Sequence, residues 1–164
     1  MMIAHLPDSA RVWLFTAGRS LEDDELLLVE TALNEFVGGW KSHNSELKAG
    51  FAILHKTVVA IAVDESVEAP SGCSIDKAFR LLSDLGEKLN TNFLDRLVVV
   101  KPYCNIAKVM SREDVMKARE ENALGPHDLV FDFSLNQLGQ LRKNYLQPFA
   151  ENWLGKTIYK EEAF

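Results

Sequence analysis

Cysteine is scarce in this sequence: among 164 residues only Cys73 and Cys104 occur, far apart. That excludes a disulfide-stapled scaffold and the close ligand spacing of a zinc site or redox couple, so no metal is expected. Long apolar runs are lacking too, none approaching the ~20 residues that span a bilayer, and no membrane partner is expected. Met1 to Arg11 contain no basic start followed by an apolar stretch, so no signal peptide is expected and the expected location is the cytoplasm. Positive charge is in deficit, with 18 Lys and Arg against 24 Asp and Glu and a formal net charge of −6. A nucleic-acid partner calls for a basic face, so none is expected.

Phosphate-binding glycine motifs are missing as well. There is no dinucleotide fingerprint and no serine nucleophile elbow. Ala150 to Thr157 (AENWLGKT) ends like a P-loop, but Ala150 stands where the first glycine belongs and no strand is expected before it. Too little chain follows Thr157 for the helix and metal-binding strand that nucleotide hydrolysis requires. ATPase activity is therefore not expected, nor is any cofactor.

What is present is ordinary globular composition, 47% hydrophobic and 26% charged, in a length that suits one domain over 1–164. Arg11 to Phe15 reads as a first strand, ended by Gly18. Ser20 with Asp23 is placed to cap a helix carrying Leu26, Val29, Leu33 and Phe36/Val37 on one stripe, and Gly38-Gly39 stops it. A polar connection from Trp40 to Lys48 leads to two strands, Gly50 to Leu54 and Thr57 to Val63, turned at His55-Lys56. The second is apolar throughout, as a central strand covered on both faces should be. Ser74 is placed to cap a second helix with Ile75, Ala78/Phe79, Leu82, Leu85 and Leu89 on its apolar stripe, and Leu97 to Val100 reads as a fourth strand.

The order β-α-β-β-α-β is that of a ferredoxin-like α+β core, with strand order 4-1-3-2 and both helices on one face. A C-terminal β-α-β-α extension follows: Ile106 to Met110, a helix from Ser111 with Asp114, Leu129 to Phe133, and a short helix capped by Ser134 with Gln137. The expected sheet is single, antiparallel or mixed, with the fifth strand beside the fourth.

This topology gathers the chemistry-bearing side chains on one rim. The loop after helix 1 (Trp40, His43, Asn44) and the loop Asp64 to Cys73 fall at the same end of the sheet, and Cys104 and His127 are expected there too. Cys73 lies where a helix begins, and free N–H groups and the dipole at such a start favour thiolate. With His43 as base it would be a nucleophile. Asp64, Glu65 and Asp76 oppose a thiolate, and a small apolar space beneath the loop would account for Cys73 without chemistry. The same start could hold an anion through Ser71, Gly72 and Ser74, with Lys77 or Lys48 supplying charge. Trp13 is expected in the core, and Trp40 and Trp153 are expected to cover the core edge more than to make a partner surface.

Trp40-Lys41-Ser42-His43-Asn44, Val63-Asp64-Glu65-Ser66, Ser71-Gly72-Cys73-Ser74-Ile75-Asp76-Lys77, Phe93-Leu94-Asp95-Arg96 and the Pro148 to Trp153 stretch resemble a family of uncharacterised bacterial proteins often labelled ABC-transporter ATPase. The resemblance spans essentially the whole chain, and SGCSIDK is its most distinctive block. It implies no catalytic residue, but its blocks fall on the loops of the one rim. The expected function is non-catalytic binding of a small molecule or protein partner by Trp40, Asn44, Asp64, Glu65, Ser66, Ser71, Gly72, Ser74 and Lys77. The alternative is a thiol-dependent enzyme with Cys73 and His43 in catalytic roles. A homodimer is left open.

Overall fold

A computed structural model describes residues 3–100 and 107–162. Its architecture is built around one strand. In chain order the elements begin with β1 (Arg11–Thr16), α1 (Asp23–Gly39), β2 (Lys41–Ser42), β3 (Ser45–Glu46), β4 (Ala49–Leu54) and β5 (Val58–Val63). Then come α2 (Gly72–Lys88), β6 (Val98–Val100), β7 (Lys108–Met110), α3 (Arg112–Glu120) and β8 (Leu129–Phe131). The chain continues with α4 (Leu138–Lys143), β9 (Leu146–Pro148), a 3-10 turn (Phe149–Glu151) and α5 (Trp153–Glu162). The protein is therefore α+β, and its sheets are antiparallel.

β5 is buried at every position, paired with β1 on one side and β4 on the other. Successive side chains of a strand point to opposite faces, so an all-apolar strand needs cover on both. Val59, Ile61 and Val63 pack with Val29 and Leu33 of α1 and Ala78, Leu82 and Leu85 of α2. Ala60 and Ala62 join Ile3, Leu6, Leu138 and Leu141 on the other face. Both long helices lie on one face, as expected. No helix among the described residues is long and apolar enough to cross a membrane.

The expectation of a single sheet in order 4-1-3-2 needs correction. The order β1-β5-β4 matches its 1-3-2 part, but β6, the expected strand 4, pairs with β7 and β8 in a separate four-stranded sheet, β7-β6-β8-β9. The start of β1 is instead met by Gln137 in an isolated bridge, and Val12 donates to the Asn136 carbonyl. The fifth strand does sit beside the fourth. This second sheet has its own apolar cluster, with Met110, Val115, Val130, Phe149 and Leu154. The two sheets meet where Val58 packs on Phe131, flanked by Leu14, Leu54 and Tyr145.

Several helix starts also differ. Glu22, not Ser20, caps α1 in a box with Glu25, and Gln137, not Ser134, caps α4 with Gln140. The Ser134 hydroxyl is taken by Asp132. Ser111 with Asp114 caps α3 as read. In α2 the cap is Ser71, and Ser74 is its third residue.

Candidate functional site at the hairpin rim

The polar connection after α1 is a hairpin. β2 and β3 pair Lys41 with Glu46 and Ser42 with Ser45, so the connecting residues are His43 and Asn44. Both have positive φ, 48° and 73°, the left-handed conformation of the tight turns that suit a hairpin's twist. Asn tolerates that conformation better than most residues, and it is the one local signal for the turn. Leu47 N–H closes the hairpin on the Trp40 carbonyl at 2.9 Å.

The hairpin is fastened to the start of α2 by polar groups that face inward. The Trp40 indole donates to the Ser74 carbonyl at 2.9 Å, and the Ser74 hydroxyl donates to the Lys41 carbonyl at 2.9 Å. The Ser71 N–H donates to the Ser42 hydroxyl at 3.1 Å. Within the cap, the Ser74 N–H donates to the Ser71 hydroxyl at 3.2 Å, and the two hydroxyls are 2.8 Å apart. Ser42, Trp40 and Ser74 are all buried, and no buried side-chain polar atom of the described residues is unpartnered. Buried polar groups are tolerated when bonded in this way, and a fully satisfied network is rigid.

A second brace ties down the far side of the rim. The Asp64 carboxylate is buried, receives the Lys48 ammonium at 3.1 Å, and accepts from both the N–H and the hydroxyl of Ser66. These bonds, Ser66 first and Lys48 next, hold its pKa below the ordinary carboxylate value. Glu65 is turned outward to Arg11 at 3.2 Å, whose guanidinium also lies 4.6 Å from the Trp13 ring centroid.

The expected site residues therefore separate into two groups. Trp40, Asp64, Ser74 and largely Ser71 are braces, not surface: their polar atoms are spent inside the protein. Trp40 lies tilted on Phe36 at 4.8 Å and edge-on at 6.4 Å to Trp13, covering the core as expected, whereas Trp153 is exposed, against expectation. His43, Asn44, Glu65, Ser66, Gly72, Cys73 and Lys77 are exposed. A Cβ added to Gly72 would meet nothing within 4 Å, so the first turn of α2 opens on free space. Cys73 is exposed, against the expectation of an apolar space beneath the loop. Among the described residues no hydrogen bond joins Cys73 to His43. Cys104 lies outside the described residues. No group of three or more His, Cys, Asp or Glu side chains able to hold a metal occurs among the described residues.

One further feature was not read from the sequence. At the opposite end of β1 and α2, an open cleft of about 500 Å³ is lined by Gly18, Arg19, Glu87, Asn90, Thr91 and Asp95. Its Arg19 guanidinium is already occupied by Glu25 at 2.6 and 2.7 Å and by the Leu89 carbonyl at 2.8 Å. A strand, β9, does precede the P-loop-like string, against expectation, but a 3-10 turn follows that strand where a phosphate-binding loop would begin. Lys156 and Thr157 lie within α5, and Thr157 donates back to the Trp153 carbonyl. A Cβ on Gly155 would stand 1.9 Å from the Phe149 carbonyl oxygen, so this glycine serves a close backbone approach.

Compared with known proteins, the chain matches no family model, no curated protein and no solved structure.

Proposed function

We propose that the protein is a non-catalytic binding module whose ligand, a small molecule or a partner protein, engages the exposed rim formed by the hairpin tip and the start of α2. The observation that carries this reading is the bracing. Buried bonds from Trp40, Ser42, Ser71 and Ser74 hold two surface segments in fixed relation, and the groups they present outward are His43, Asn44, Gly72, Cys73 and Lys77. A surface whose geometry is set before contact loses less entropy on binding. Lys77 adds a cation near the positive end of α2, whose first turn holds no acidic residue, so a carboxylate or similar acceptor on the ligand suits the rim.

The exposure of Cys73 at a helix start favours a second reading, a thiol-dependent enzyme with His43 as base. One pair of measurements separates the two. In the Cys104→Ser protein, alkylation of Cys73 near neutral pH is expected to be no faster than that of a free cysteine peptide and unchanged by His43→Ala. A thiol reactive near neutral pH that slows in His43→Ala would replace the binding reading with the enzyme reading. Amide NMR with a library of small carboxylates is expected to move the signals of His43, Asn44, Gly72 and Cys73 together. Saturable shifts confined to other regions would overturn the rim as the site.

A further inference from the structure

His55 occupies a different position from the rim histidine. It stands in the turn between β4 and β5, at the end of the molecule away from the hairpin, with φ of 50° and Lys56 following at 56°. Main-chain bonds fix this turn from several sides. Thr57 N–H donates to the Leu54 carbonyl, Ala17 N–H to that of Thr57 and Leu21 N–H to that of Lys56. The imidazole is thereby held against the other sheet. Its Nε2 lies 2.9 Å from the Tyr145 hydroxyl, and its ring stands edge-on to Phe131 with centroids 5.6 Å apart. Tyr145 and Phe131 in turn stack at 5.1 Å, and the Tyr145 carbonyl accepts from Asp132 N–H at 2.9 Å. His55 thus belongs to the first sheet and makes its side-chain contacts with the second, beside the apolar junction of Val58, Leu54 and Phe131.

We propose that His55 is a proton-operated latch between the two sheets: the neutral imidazole closes the junction on Tyr145 and Phe131, and the imidazolium loosens it. In the neutral ring with its proton on Nδ1, Tyr145 donates to Nε2. A second proton on Nε2 makes that atom a donor, so the Tyr145 hydroxyl must turn its own proton elsewhere. The new charge also sits among aromatic and aliphatic groups, where desolvation penalises it.

Among the described residues, the titratable and charged groups of the surrounding elements offer the imidazolium no counter-ion. Lys56, in the same turn, is paired with Asp23 of α1, and Asp132, beyond Phe131, holds the N–H and hydroxyl of Ser134. Lys143 ends α4 two residues before Tyr145 and carries charge of the same sign. Burial pushes the His55 pKa down from its ordinary value, so the latch stays closed at neutral pH and opens on the acid side.

The test is hydrogen exchange of the whole protein at about pH 7.5 and at a pH below the NMR midpoint of the His55 imidazole, corrected for intrinsic exchange chemistry. Amides of Val130, Phe131 and Leu146 are expected to exchange several-fold faster at the lower pH, while those of Val59 to Ile61 keep their protection. In His55→Asn, which the left-handed turn tolerates, the response of β8 and β9 to pH should vanish. Equal protection of β8 and β9 at the two pH values, or an unchanged response in His55→Asn, overturns the latch. Independently of any variant, the midpoint of the β8 response must coincide with the NMR titration of the His55 imidazole. Different midpoints overturn it as well.

Discussion

Glu25 shows how much a single residue can carry at the surface. It receives the Arg19 guanidinium on both oxygens and also accepts the Glu22 N–H that completes the α1 cap. The Arg19 bond first, and the Glu22 N–H second, hold its pKa at about 2, against an ordinary 4.5. A carboxylate held low in the folded state stabilises the fold above its ordinary pKa, and this contribution is lost as pH falls toward the folded value. Wild-type protein and Arg19→Gln should therefore differ by a constant amount in urea stability above about pH 5 and converge near pH 2. A difference that persists unchanged at the acid end would disprove the assignment. No such bond could be read from the chain, since the Glu25 and Arg19 side chains meet only once the segment before α1 has turned. Trp40 teaches the same lesson. A tryptophan beside polar residues reads equally well as ligand contact or core cover, and its partner Ser74 lies far along the sequence.

At the level of elements, amphipathic stripes were legible and their ends were not. The apolar residues of α1 and α2 fall at helical spacing, so tertiary burial and local pattern agree. Their starts were misjudged because Ser, Asp and Glu near a terminus compete as caps, and geometry outside the helix decides among them. Ser71 wins in α2 because the hairpin takes its N–H through Ser42 and leaves its hydroxyl to the cap. The two-residue strands β2 and β3 are too short to show alternation, and the hairpin was missed for that reason. Ser71→Ala is expected to cost about 1 to 2 kcal/mol in urea denaturation, the upper part of the range for an N-cap. Ser74→Ala should be largely non-additive with it, since the two hydroxyls lie 2.8 Å apart and that of Ser74 also donates to the Lys41 carbonyl. Full additivity in the double variant would show that the two hydroxyls do not act together.

The whole molecule was legible where one strand dictates its surroundings. An all-apolar β5 demands partners on both edges and cover on both faces, and the structure supplies them. Val98 to Val100 gave no comparable instruction. Three valines suit any sheet, and only the pairing with β7 and β8 tells which. The split into two sheets depends on contacts between segments distant in sequence, so no local pattern announces it.

The central position of β5 also implies an order of assembly. Its pairing with β4 is local, closed by the turn at His55 and Lys56, whereas β1 reaches it only after α1, the β2–β3 hairpin and β4 have been passed. Closing the long loop first would spend chain entropy before any contact repays it. The β4–β5 hairpin should therefore be formed in the transition state, with β1 docking late. In stopped-flow chevrons, Ile53→Ala is expected to slow folding, while Val12→Ala mainly accelerates unfolding. The reverse pattern would mean that β1 docks before the β4–β5 hairpin forms. As built, β1 must remain unpaired until β5 has been synthesised, which leaves an apolar segment open while α1, the β2–β3 hairpin and β4 emerge.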